Sequence, residues 1–282
     1  MKKLSILFIT LIALAGCTKH ETNQVDKLGC KNPSSLNYDA SATIDDGSCV
    51  ATGPKQYGFV LEYTATWCGP CGQWGAPAVH DLYAMGDVVA VACHVDGDPM
   101  YNVSLYNQLT SCRSTGGGIP AFWVGDEKMP NSPGQFPGKM TTLMGRDPDV
   151  STVCKATRSG ANVTIKSSTE FMKNCDGDYY LSFFITESEI PGDANAGAYA
   201  QTTPADPATY THKFVLRSAL NDKAYGEKIS SGAVLAGKKL DSSYSMPIDA
   251  TWTNELSVCT VIWKYNATSQ LYEYQNAFES KF

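Results

Sequence analysis

Histidine is scarce in this 282-residue chain: four residues against ten cysteines. A histidine-rich metal site is thereby disfavoured. There is also no second Cys-x-x-Cys and no His-x3-His to complete tetrahedral zinc around Cys68-Gly69-Pro70-Cys71. Basic charge is in deficit, with 22 Lys+Arg against 28 Asp+Glu and a net charge of −6. This argues against nucleic-acid binding, which needs a basic face. No dinucleotide motif is present, and no apolar run is long enough to span a bilayer. The run Leu4 to Ala15, interrupted by Ser5 and Thr10, makes a helix of about 18 Å against a hydrocarbon core of roughly 30 Å. What is plentiful is apolar and aromatic residues, 43% and 11% of the chain, enough to exclude a largely disordered protein. The length suits about two domains. Cysteine-rich composition places them in an oxidising compartment.

The N-terminus accounts for that compartment. Met1-Lys2-Lys3 and the short apolar run form a secretory signal, residues 1–16. Leu14-Ala15-Gly16-Cys17 resembles the lipobox of bacterial lipoproteins. The resemblance implies cleavage before Cys17 and acylation (palmitate among the chains) of its thiol and amine. Two or more chains anchor stably where one does not. The expected location is the outer membrane, on its periplasmic face or at the cell surface, with the membrane held through the N-terminal lipid. The mature chain carries a net charge of −8.

Residues 17–56 read as tether, stapled spacer and linker. Between Cys30 and Cys49 the segment is too short and polar for a core, so a disulfide between them does much of the work. Closing a loop of about 20 residues contributes roughly 3 kcal/mol in the chain-entropy model. Asp39, Asp45 and Asp46 could supply oxygens to Ca²⁺, although their spacing is not that of the helix-flanked calcium loop. Turn formation by Asx residues is the alternative. No other cofactor is expected.

The chemistry lies in residues 57–148. Phe59-Val60-Leu61-Glu62-Tyr63-Thr64 has a buried-strand pattern and runs into Trp67-Cys68-Gly69-Pro70-Cys71, then a helix-compatible stretch to about Met85. Unpaired N–H groups and the helix dipole favour an anion at Cys68, lowering its pKa from about 8.5 toward about 7. Cys71, one turn on, can attack a mixed disulfide on Cys68. A permanent structural disulfide is the competing reading of the same motif.

These residues resemble the thioredoxin family. The resemblance implies Cys68 as nucleophile, Cys71 as resolving thiol, and Glu62, six residues before Cys68, as a buried acid that helps deprotonate Cys71. Burial of that acid raises its pKa. Val88 to Ala92 resembles the central strand, and Gly118-Ile119-Pro120-Ala121 resembles the loop carrying the family's cis-proline. Substrate then contacts Trp67, Gly69, Pro70, Ile119 and Pro120. Two departures stand out. Pro77 lies six rather than five residues past Cys71, which with Gly72 and Gly75 points to a bulged or looser helix. Ala92 also occupies the place of the lysine usually opposite the acid. His80 and His94 read as surface or packing residues.

Residues 149–282 carry about seven strand-like runs between turn signals: 153–157, 163–168, 179–186, 213–218, 233–240, 256–265 and 271–276. Such a series suggests an antiparallel sandwich. Tyr210-Thr211-His212-Lys213-Phe214-Val215-Leu216-Arg217 with Tyr225-Gly226 resembles the C-terminal domain of a bacterial lipoprotein family named for a 28-kDa outer-membrane protein. That family pairs a thioredoxin-like domain with a β-sandwich. The expected fold is therefore an α/β thioredoxin-like domain followed by an antiparallel β-sandwich domain. His212 and Arg217 read as satisfied strand residues. Five cysteines remain, an odd number, so at least one free or intermolecular thiol is expected, with Cys93–Cys112 and a pair among Cys154, Cys175 and Cys259 as possible bridges. The expected activity is tethered thiol–disulfide exchange on protein substrates, with an unknown electron-transfer partner. The rival is a surface binding or adhesion lipoprotein whose Cys68–Cys71 bond is a staple.

Overall fold

The computed structural model describes residues 25–192, 201 and 210–282; the leader and Cys17 lie outside the described residues. Strand β1 (Gly58–Thr64) and strand β2 (Val88–His94) are buried along their whole length, so both read as continuous apolar runs. They pair in parallel, Phe59 opposite Val89 and Glu62 opposite Ala92, joined through helix α1 (Ala76–Ala84). Helix α2 (Val103–Cys112) is capped by the Asn102 side chain, which accepts from the Leu105 amide. Next come β3 (Ala121–Val124), antiparallel to β1, short β4 (Glu127–Lys128), and helix α3 (Phe136–Met144).

Among the described residues the C-terminal half is built on strands, with one 3-10 turn at Leu220–Asp222: β5 (Val150–Ser159), β6 (Asn162–Phe171), β7 (Asp178–Ser188), β8 (Val215–Ala219), β9 (Glu227–Ser230), β10 (Lys239–Pro247), β11 (Glu255–Asn266) and β12 (Leu271–Lys281). The result is a mostly β protein with few helices. Expected run 233–240 is displaced, since the strand is Lys239–Pro247. Its serines are weak strand formers, but Leu240, Tyr244 and Met246 alternate onto the core and set the strand. Likewise β12 continues past Asn276 to Lys281.

Strand order is the main departure from two separate domains. A nine-stranded sheet runs β12-β11-β7-β8-β2-β1-β3-β4, with β9 also on β7, and a three-stranded sheet runs β10-β6-β5. The large sheet crosses residue 148, because β8 lies parallel to β2, Val215 opposite Ala92, and antiparallel to β7. Without β8, β2 would present an open edge. One core joins the halves, with Phe214, Leu216, Trp263 and Tyr274 packed among Phe59, Leu61, Val91 and Phe122. A second core fills the space between the two sheets, where Ile165 and Phe171 meet Phe183, Ile185 and Val258. Strand β7 serves both, Phe184 on the first and its neighbours Phe183 and Ile185 on the second. The expected linker is also docked: Asn276 donates to the Lys55 and Val150 carbonyls and accepts from the Tyr57 amide.

In the spacer, Cys30 and Cys49 form the expected disulfide, and Leu28–Gly29 pairs with Ile44–Asp45. Asp39 is bonded to Lys27 and Ser41, Asp45 accepts from the Gly47 amide, and Asp46 from the Ser48 amide. The last two are Asx turns. Among the described residues, no group of three His, Cys, Asp or Glu side chains is placed to hold a metal ion.

Arg113, just past α2, bolts the halves together. It is 2% exposed. Its Nε donates to the Gly125 carbonyl, its Nη2 to the Asp126 carboxylate and the Tyr272 carbonyl, and the guanidinium lies 4.5 Å from the Trp263 ring centre. Removing one side of a buried, hydrogen-bonded pair strands its partners. Arg113→Ala is therefore expected to cost about 3 kcal/mol, read as a fall of roughly 10 °C in melting temperature. Arg113→Lys should rescue little, because an ammonium cannot reproduce the planar fork. A shift below about 2 °C in thermal unfolding would remove the bolt from this account.

Candidate functional site

Strand β1 carries Glu62 and delivers the chain into Cys68. Cys68 and Cys71 are joined by a disulfide. Their residues are 5% and 1% exposed, while Trp67 beside them is 52% exposed. Pro70 is exposed and Gly69 half-buried. The Cys71 amide points at Cys68 Sγ from 3.2 Å, and the Ile119 carbonyl lies 3.8 Å from the same sulfur. The Ile119–Pro120 peptide is cis and precedes β3. Residues 62, 67–71 and 119–120 thus converge on one end of the sheet.

The helix after Cys71 begins irregularly. Cys71–Gly75 is a π-helical turn, followed by α1. A π turn takes up one more residue than an α turn, which accommodates Pro77 one place later than the thioredoxin pattern. Gly75 has a further role that the sequence did not disclose. A Cβ there would sit 2.8 Å from Glu62 Oε1 and 3.0 Å from Pro120 Cβ. A side chain there would push the Glu62 carboxyl aside and press on the cis-proline ring.

Glu62 is wholly buried, and its Oε1 has no hydrogen-bond partner among the described residues. Burial alone pushes its carboxyl up to about 8. At neutral pH the group is mostly protonated yet able to release and take up a proton.

Four contributors were not anticipated in these roles. Asp98 Oδ2 accepts from the Thr66 amide at 2.6 Å, and Oδ1 from the Met100 amide at 2.8 Å. His94 Nδ1 lies 2.9 Å from Asp98 Oδ1, so this histidine orients the carboxylate that ties down the loop before Cys68. Burial would raise the Asp98 carboxyl, but the hydrogen bond and charge of His94 and the two amides hold it at about 2. Gln201, from 133 residues downstream, donates through Nε2 to the Cys68 carbonyl at 2.9 Å. Half-buried Tyr210 has its hydroxyl pushed up by burial and by the charge of Glu62. A glutamine in a run of threonines, alanines and prolines carries no sequence signal that could have found it.

The remaining residues are structural. Arg217 pairs with Glu187 at 2.8 Å. The expected bridges among the remaining cysteines are absent: Cys93, Cys112, Cys154, Cys175 and Cys259 are all free. Cys93, Cys154 and Cys259 face the cores, where burial raises their thiols and cysteine acts as a small apolar side chain.

No protein-family model and no curated protein matches the chain. Among solved structures, it is similar to HBP35 of Porphyromonas gingivalis, at TM-score 0.65 and 15% identity, covering 80% of this chain and 75% of that one. At that identity the likeness is one of fold. A DUF3823 family protein from Bacteroides ovatus matches at TM-score 0.26 and 9% identity, covering 48% of this chain and 56% of that one, too distant to carry an argument.

Proposed function

We propose that this protein is an extracytoplasmic thiol–disulfide oxidoreductase, a thioredoxin-like unit whose sheet continues into an antiparallel β-sandwich. A lipid on Cys17 tethers it to the outer membrane. The observation that carries the reading is the Cys68–Cys71 disulfide at a helix start, against the Ile119 carbonyl, with the unpartnered carboxyl of Glu62 buried beside the same helix.

In the reduced protein the Cys68 thiolate attacks a substrate disulfide, forming a mixed disulfide and releasing one substrate thiolate. Cys71 gives its proton to Glu62 in its ionised form, the smaller fraction at neutral pH, and attacks Cys68 Sγ. The second substrate thiolate leaves and the 68–71 disulfide reforms, so two electrons pass to the substrate. The reverse sequence oxidises a substrate dithiol. Either direction needs a redox partner protein to reset the pair.

Burial of both sulfurs favours a second reading, a permanent staple in a surface binding protein. The reduction potential of the pair separates the two. Equilibrated with glutathione or dithiothreitol buffers and trapped by alkylation, a catalytic pair is expected between about −270 and −120 mV. A value below about −300 mV would favour the staple and end the enzyme reading.

A further inference from the structure

Beside Ile119–Pro120 opens a cavity of about 450 Å³. The glycine loop 116–118 forms one wall, and Lys128 of the β3–β4 hairpin stands in the other. Gly116 and Gly117 adopt φ of 71° and 90°, a backbone that side chains disfavour. A Cβ on Gly116 would collide with Lys128 Nζ, so the bare backbone is what lets the ammonium lie across the loop. The adjacent Glu127 is taken by Lys139. Lys128 has no carboxylate partner among the described residues, and no acidic residue lines the cavity. In a chain of net charge −6, this wall is locally positive.

We propose that the cavity receives the stretch of a protein substrate flanking its reactive cysteine, and that Lys128 selects stretches carrying Asp or Glu there. The inference rests on the thiol–disulfide reading above and names the substrate class for that site. A carboxylate entering past Ile119 meets an ammonium that has no internal partner to surrender. A lysine or arginine there meets like charge without compensation. The interaction is at a solvent-facing rim, so its effect is modest and salt-sensitive.

The test uses the dithiothreitol-reduced full chain, freed of excess reductant, and three disulfide-bridged peptides. They are identical except for two Asp, two Ser or two Lys beside the cysteine. In this single turnover, wild type is expected to reduce the Asp peptide with a second-order rate constant about two- to fivefold above that for the Lys peptide, the gap narrowing as salt is raised. Lys128→Ala should close the gap and Lys128→Glu should reverse it, while all three proteins reduce the Ser peptide equally. If wild type reduces all peptides alike, or Lys128→Ala retains the preference, the selectivity inference fails and the oxidoreductase reading stands. If none of the peptides is reduced, both fail.

Discussion

Replacing Cys68 by serine is expected to abolish reduction of an insulin-type disulfide substrate, by at least about a thousandfold, the order seen when an enzyme loses its nucleophile. A serine hydroxyl at the same place is not ionised near neutral pH and cannot form a mixed disulfide. Cys71→Ser is expected to behave differently. Cys68 still attacks, but no neighbouring thiol releases the substrate, so a covalent adduct accumulates. That adduct is visible by mass spectrometry and is reversed by dithiothreitol. The asymmetry follows from position: the Cys71 residue is 1% exposed and opens the π turn, whereas Cys68 precedes that turn beside exposed Trp67. Equal turnover by wild type and Cys68→Ser would falsify the oxidoreductase reading.

Glu62→Gln is expected to change how stability depends on pH. In the unfolded chain this carboxyl ionises near 4.5, and in the folded protein near 8. Between those values folding takes up a proton, so the stability linked to Glu62 is complete below about pH 4.5 and is lost as pH rises through 8. The glutamine variant lacks that loss. Its advantage over wild type should be small at pH 5 and grow to roughly 3–5 kcal/mol at pH 9, because each tenfold change in proton affinity is worth about 1.4 kcal/mol. Urea denaturation of the oxidised proteins at the two pH values measures it. The raised thiols of Cys93, Cys154 and Cys259 are common to both proteins and cancel in the difference. Parallel stability curves for the two proteins would show that Glu62 is not buried as an acid. In the proposed mechanism Glu62 accepts the Cys71 proton, so the variant is also expected to slow release of the mixed disulfide.

Local chemistry was legible where a short stretch of chain contains the whole cause. The Phe59–Thr64 strand, the Cys30–Cys49 disulfide and the irregular helix start after Cys71 all depend on neighbours a few residues apart. The burial of Glu62 followed from its place in an apolar run. Arg113, Gly75, Asp98 and Gln201 were not legible in these roles, because each acts on residues outside its own segment. Arg113 binds Tyr272, 159 positions away, and Gln201 reaches Cys68 across 133. The cysteine bridges proposed among the last five failed for a related reason. Count and parity say nothing about which thiols point into a core.

By itself the sequence determined the strand-to-helix setting of the dithiol and the alternation of the later strands, since these follow from spacing and from backbone periodicity, while the part of the acid at position 62 came from the resemblance to thioredoxins. Only the tertiary structure decided that Val215–Ala219 would fill the open edge of β2 and so merge two expected domains into one sheet. A strand edge has unpaired N–H and C=O groups but no preference for a particular distant segment. That choice emerges when Phe214 and Leu216 find a core already lined by Phe59, Leu61 and Trp263, and the whole chain must bury them at once.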